Sequence, residues 1–346
     1  MTEDEDDKRL LSPSSQTGEG PVDATLRPRR LEEFVGQQRL KENLRIFITA
    51  ARRRGEALDH ILFCGPPGLG KTTLAFIIGH ELGTEVQVTS GPAVEHRGVL
   101  AGLLTGLQPR GILFVDEIHR LNPAVEEYLY PAMEDLVIDV PSGAGAFSQT
   151  LRLGLQPFTL IGATTRSGLL TSPLRERFGI VERLEHYAPE EITQIVTRSA
   201  GIMRVEVEPV AATEIGRRSR GTPRIANRLL RRVRDFAEVE GDGRINLTVA
   251  RRALSALAVD DLGLDSLDRQ LLRSVVQTYA GGPVGIDALA AALHEERDTL
   301  ENEVEPFLIQ CGMIQRTPRG RVALLRAYEH LGEPAPPAAP QQRTLF

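Results

Sequence analysis

Short apolar runs alternate with longer amphipathic stretches through the first half of the chain. HILFCG (60–65), GILFVDE (111–117) and FTLIGATT (158–165) have the length and the β-branched and aromatic content of strands buried on both faces. TTLAFIIGHEL (72–82) and VEEYLYPAMEDL (125–136) instead space their apolar positions three and four apart, and predict helices. Strand and helix in alternation predict an α/β domain with a parallel sheet sandwiched by helices. Before the third strand, VIDV and QTLRLGL flank a Gly- and Ser-rich tip, PSGAGAFS, and predict an inserted β-hairpin over about residues 136–157. Leu151, Leu153 and Leu155 share one of its faces by the period of two, an apolar patch for a partner if that face is exposed.

Past Tyr187 the strand pattern stops. APEEITQIVTRSA opens with Pro189 and two glutamates, and the pattern stays helical through ANRLLRRVRDFAEV, so residues 188–262 read as an all-α module. From residue 263 to 332 the order changes to three helices, the last EERDTLENEVEPFLIQ, and then MIQRTPRGRVALL, two short strands about a Pro-Arg-Gly turn. That order suits a winged helix. The acidic first 25 residues and the Pro- and Ala-rich stretch 333–346 read as tails that bury too little to order themselves.

Composition narrows the class. A chain of 346 residues predicts two or three domains. The N-terminus, MTEDEDDKRL, lacks a secretory core, and no apolar run approaches the roughly 20 residues of a membrane span, so a cytoplasmic protein with no membrane role is expected. Cys64 and Cys311 have no metal-ligand spacing around them. The net charge of −6 disfavours nucleic acid as an average, but the charge is unevenly placed. Lysine occurs only at positions 8, 41 and 71, so Arg is the ordinary cation and only its placement is informative.

Lys71 falls inside GPPGLGKTT (65–73), between a predicted strand and a predicted helix. Glycines such as Gly68 and Gly70 let backbone N–H groups wrap phosphates, Lys71 neutralises their outer oxygens, and Thr72 offers its hydroxyl to Mg²⁺, with Thr73 beside it. A second buried strand delivers Asp116 and Glu117 at its C-terminal end. These carboxylates suit Mg²⁺ coordination and activation of the attacking water, which makes ATP hydrolysis the expected chemistry. The third strand ends in Thr164 and Thr165, able to sense the terminal phosphate. TSPLRERFG (171–179) then presents Arg175 and Arg177, and spacing alone allows either to reach a nucleotide on another subunit.

The phosphate loop, DEIH, the polar ATT strand end, LRERF and GTPR (221–224) follow one another as the motifs of AAA+ ATPases do. Together with RPRRLEEFVGQ, YPAMED and RTPRGR, over residues 25 to 330, they resemble the RuvB family of Holliday junction branch-migration motors. That resemblance implies a P-loop AAA+ domain (26–187), a helical lid (188–262) and a DNA-binding winged helix (263–332). It implies a homohexameric ring on duplex DNA, recruited to the junction by RuvA, with RuvC resolving it afterwards, in recombination, DNA repair and the response to DNA damage. It makes Thr165 the first sensor, Arg177 the finger acting on the neighbour's ATP, and Arg224 the second sensor. Leu26, Arg27 and Tyr187 would border adenine and ribose, and Glu134, Asp135 and Leu136 of YPAMED would join the nucleotide's surroundings.

The winged helix carries its own charge argument. Its third helix has six acids against Arg297, whereas Arg316, Arg319, Arg321 and Arg326 stand on the ribbon without an acid. The wing is therefore expected to hold the DNA backbone without reading sequence, with Arg297, Arg316, Arg319 and Arg321 as contacts. Eight arginines between Arg217 and Arg234 read as a lid surface or subunit interface. The main rival is a clamp-loader-like switch acting on a DNA-bound ring. A protein-remodelling relative is disfavoured because no aromatic pore-loop signature is present, and a non-catalytic regulator because the acidic pair is intact.

Overall fold

The computed structural model describes residues 9–13, 24–142 and 149–335. The hairpin tip and most of both predicted tails lie outside them. The chain forms two compact units. One holds residues 15–203 and 221–227, the other residues 1–14, 204–220 and 228–346. The residues assigned by pattern to a separate helical lid are therefore shared between the two.

The first unit is built on five parallel strands in the order β2-β3-β6-β1-β7: β1 Ile61–Cys64, β2 Val86–Ser90, β3 Ile112–Asp116, β6 Thr159–Thr164 and β7 Ile180–Arg183. The three continuous apolar runs occupy its centre, β1 and β6 buried along their whole length and β3 up to Asp116. The edge strands β2 and β7 are more exposed, as half-covered positions allow. β6 runs between β1 and β3, so Thr164 stands beside Cys64 in register while Asp116 stands beside Ser90. Helices α1 (Gln38–Arg54), α2 (Lys71–Leu82), α3 (Arg97–Thr105) and α4 (Pro123–Glu134) belong to this unit, with α5 (Ser172–Glu176) and α6 (Pro189–Ile202).

The inserted hairpin is present as β4 (Val137–Ser142) and β5 (Gln149–Gly154), antiparallel. Its base is tied down: Ile138 is buried, and Leu153 and Leu155 pack against the core that α3, α4, β3 and β6 share. The expected three-leucine patch therefore narrows to Leu151, which is 52% exposed.

In the second unit, α7 (Pro209–Arg217), most of α8 (Pro223–Glu240) and α9 (Leu247–Ala256) precede the winged helix. The latter comprises α10 (Ser266–Arg273), α11 (Ile286–Leu293), α12 (Arg297–Thr299), α13 (Glu305–Gln310), the ribbon β8 (Ile314–Thr317) and β9 (Gly320–Ala323), and α14 (Leu325–Leu331). The predicted third helix is interrupted between α12 and α13 by a π-type stretch, Leu300–Val304. Pro306 explains the break, because it has no N–H and its ring opposes the carbonyl one turn back.

Two expectations are corrected here. Residues 9–13, assigned to a tail too polar to order, are docked: Leu11 is fully buried, Arg9 Nε donates to Asp265 at 2.6 Å, and Arg9 also pairs with Asp268. Arg228 closes over the segment, donating to the carbonyls of Leu10 at 2.7 Å and Ser12 at 2.9 Å. The Arg217–Arg234 run is only in part a charged surface: Arg217 and Arg232 are exposed, but Arg218, Arg220, Arg228 and Arg231 are buried. Arg218 donates to Glu214 at 3.0 Å and to the Val259 carbonyl at 2.8 Å, and Arg220 pairs with Asp268. Glu214 and Asp261 compensate Arg218, and Asp268 compensates Arg220, as buried charge requires.

Candidate functional site: a nucleotide site at the strand ends

The phosphate loop leaves β1 and enters α2, whose first residue is Lys71. Gly65 sits at φ +135°, where a Cβ would lie 2.5 Å from the Leu184 carbonyl, so only glycine lets the loop pass this close to the chain after β7. Gly68 and Gly70 also take positive φ, turning the loop toward the start of α2. Lys71 is buried and its Nζ donates to the carbonyls of Gly65 and Pro66, each at 2.7 Å. Burial pulls its pKa down to about 8, Asp116 pulling back and Arg224 pushing further. An ammonium so placed fits polyphosphate, whose charge would restore the proton that burial disfavours. Thr72 and Thr73 follow in the first turn.

β3 ends at Asp116, whose Oδ1 accepts from the Glu117 backbone N–H at 2.9 Å. Glu117 takes the left-handed conformation (φ +48°) and its carboxylate accepts from Arg120 at 2.9 Å. Asp116 and Thr72 are the hard oxygen donors that Mg²⁺ takes alongside phosphate and water. The described residues contain no cluster of three or more His, Cys, Asp or Glu that could hold a metal by themselves. Of the two threonines, Thr164 is buried, lies 3.0 Å from His119 Nδ1 and accepts from the Arg166 N–H, while Thr165 is exposed just past the strand.

The predicted base-side residues all belong to the first unit. Tyr187 donates to the Leu69 carbonyl at 3.0 Å, and burial pushes its pKa well up. Arg27 lies over the Phe76 ring of α2, and buried Leu26 accepts from Arg198 at 2.7 Å through its carbonyl. The GTPR turn is pinned to the same place. Gly221, at φ +62°, has Tyr187 so close that a Cβ would lie 2.7 Å from its carbonyl. The Tyr187 N–H bonds the Gly221 carbonyl at 3.0 Å, and the Arg224 N–H meets the Gly68 carbonyl at 3.4 Å.

Arg175 and Arg177 diverge. Arg175 lies near Cys64 at the end of β1: burial pushes that thiol up, and Arg175, Arg183 and Lys71 pull against it. Arg177 follows α5 and lies against α4, with its guanidinium 4.3 Å from the Tyr130 ring centre and 3.2 Å from Glu134. It also donates to the Pro173 carbonyl at 2.7 Å. Its Nε is buried with no acceptor among the described residues. Glu134, Asp135 and Leu136 therefore gather at the Arg177 end of α4. Sequence reasoning missed Tyr130, Glu126 and His119; YPAMED and DEIH contained two of them, but only packing reveals their use.

In the winged helix, Arg321 does not fit a DNA-contacting role. It is 7% exposed and forks onto Glu301 (2.9 Å) and the fully buried Glu305 (3.1 Å). Arg316 also reaches Glu305 but stays exposed, and Arg297 is exposed between Asp287 and Glu301. Arg319, at the ribbon's turn, is exposed with no ion-pair partner among the described residues.

Three family profiles tile the chain: "Holliday junction DNA helicase RuvB P-loop domain" over residues 26–184, "RuvB AAA lid domain" over 187–260 and "RuvB C-terminal winged helix domain" over 261–332. The Holliday junction branch migration complex subunits RuvB of Chloroflexus aggregans and Chloroflexus aurantiacus are each 57% identical over 347 residues, covering 98% of this chain and 99% of theirs. The solved structure described as the Thermotoga maritima RuvB Holliday junction branch migration motor matches with a TM-score of 0.81 at 50% identity, over 90% of this chain and all of that one. A mutant of the same protein gives 0.82 at 51% identity, over 90% and 99% of the two chains. With the phosphate loop, the acidic strand end and the winged helix in one polypeptide, the chain belongs to the RuvB family of AAA+ P-loop ATPases, the ATP-dependent motors of Holliday junction branch migration.

Proposed function

We propose that this chain works as a homohexameric ring on duplex DNA, recruited to four-way junctions by RuvA and followed there by RuvC, in recombination and repair in the cytoplasm. The observation that carries this reading is that the contacts of Arg177 among the described residues are with Tyr130 and Glu134 of α4 and with Pro173, not with its own phosphate loop. Lys71 and Arg224 serve the loop, whereas Arg177 is held on α4 with one donor unmet. A second subunit's phosphate would take the place of the exposed Glu134 carboxylate on the guanidinium. In each subunit Thr72 and Asp116 would hold Mg²⁺, which would supply charge to offset that of the polyphosphate. Glu117 orients and deprotonates water, and Thr165 with Arg224 senses the γ-phosphate. Leu26, Arg27 and Tyr187 border the base and ribose, and Glu134 to Leu136 stand with Arg177 toward the neighbour's nucleotide. Exposed Arg316 and Arg319, with Arg297 beside them, grip DNA phosphates without reading sequence, and Leu151 is the apolar contact for RuvA.

Subunit mixing tests the ring. Arg177→Ala should bind ATP but lose about 10³-fold in turnover, and Glu117→Gln should bind without hydrolysing. Mixed, the two variants should regain activity, because each ring then holds sites with an intact Glu117 facing an intact Arg177. No recovery would argue against action in trans. A labelled four-way junction should exchange strands only with ATP and RuvA, and Leu151→Ser should lose the response to RuvA while keeping basal hydrolysis. Hydrolysis without strand exchange would favour the clamp-loader-like switch.

A further inference from the structure

We infer that Tyr130 is the positioning residue for the finger: its ring, clamped by Glu126, is the seat that holds Arg177 in the orientation needed to reach a neighbouring subunit's nucleotide. The inference rests on the reading of Arg177 as a finger in trans. Glu126, Tyr130 and Glu134 fall four apart on α4 and so share one face. Glu126 is only 7% exposed. Its carboxylate accepts from the Tyr130 hydroxyl at 2.7 Å and from the Thr171 hydroxyl. Thr171 is the N-cap of α5, accepting from the Leu174 N–H, and α5 leads directly into Arg177. One buried carboxylate thus fixes both the backbone that carries the arginine and the ring beneath it. The guanidinium lies over that ring, with Glu134 on one side and the Pro173 carbonyl on the other.

A free arginine side chain spreads over many rotamers, and ordering it costs entropy. A transferred phosphoryl group is stabilised only by an arginine already in place, so a seat that orders Arg177 raises turnover without touching the subunit's own ATP. Tyrosine suits this better than an aliphatic residue. Its face attracts the cation without neutralising it, and its hydroxyl lets Glu126 lock the ring plane. Glu134 is more exposed than Arg177 and stands at its outer side, where phosphate can displace it.

The test uses the full chain with RuvA and junction DNA, and compares Tyr130→Leu with Tyr130→Phe, each alone and combined with Arg177→Ala. Tyr130→Leu should lower kcat by about 3- to 30-fold with the KM for ATP changed less than about twofold. Tyr130→Phe keeps the ring and should stay within about threefold of the parent. In the Arg177→Ala background Tyr130→Leu should cost nothing further, because the two changes remove the same interaction. Wild-type kcat for Tyr130→Leu, equal loss for the Phe and Leu variants, or the same loss with Arg177 absent would each overturn the proposal. If Tyr130→Leu does not fold, Tyr130→Met carries the same comparison. Arg177→Ala at full turnover would instead remove the finger reading itself.

Discussion

Lys71 carries the ammonium on which nucleotide binding turns, and it sits where burial disfavours it. Its pKa of about 8 in the free protein has a directional consequence. Below that value the site presents a cation; above it the free site is neutral and must take up a proton as phosphate arrives. ATP affinity should therefore hold steady below about pH 8 and weaken by up to about tenfold per unit above it. Calorimetry in buffers of different ionisation enthalpy should register the accompanying proton uptake. A flat affinity from about pH 7 to 9.5 would contradict it. The identity of Lys71 was legible from the sequence, because a Gly-rich spacing after a strand admits few other uses. Its shifted titration was not, because that depends on Asp116 and Arg224, one brought by the neighbouring strands and the other by a turn more than 150 residues away.

Strands and helices were readable because each obeys a local period, and parallel pairing brings the motif-bearing C-terminal ends of β1, β3 and β6 to one edge of the sheet. What local patterns could not reveal is which charges each element uses for itself. The wing is the clearest case. Arg316 and Arg321 are cross-strand partners on β8 and β9, and both turn to Glu305, an acid that from the sequence alone looked like a repulsive neighbour of DNA. Two variants should separate the arginines. Arg319→Ala should leave folding within about 0.5 kcal/mol and lower the slope of log affinity against log salt by about 1, uniformly across DNA sequences. Arg321→Ala leaves Glu305 buried with less compensation and should destabilise the winged helix by about 3 kcal/mol, softened by the Arg316 contact that remains. DNA titrations at several salt concentrations, with urea unfolding of each variant, decide it. An equal salt slope for Arg319→Ala and the parent would remove that residue from the interface.

At the scale of the whole chain, composition misled most where it averaged most. The first 25 residues are too acidic and polar to fold alone, yet Arg9 and Leu11 find in the second unit the carboxylates and the apolar pocket that the segment lacks. Arg9 and Arg220 both face Asp265 and Asp268, and Asp268 is fully buried. Burial alone would push the Asp265 carboxyl up, but the two arginines hold it below the usual range. Arg9→Ala should expose this imbalance, destabilising the α10 cap by about 3–5 kcal/mol. Amide hydrogen exchange at the start of α10 should then quicken by about two to four orders of magnitude, and unchanged exchange would mean that Arg220 suffices alone.

The same docked segment sets an order of events during synthesis. Arg9 leaves the ribosome well before its partner, because Asp265 lies 256 residues later. At roughly 5–20 residues per second, that partner emerges some 10 to 50 seconds afterwards. Through this interval the nascent chain must keep Leu11 and its neighbours unpaired while the nucleotide domain forms behind them. The Arg9 segment is thus among the last parts to settle, and its docking reports that the start of the winged helix has been made.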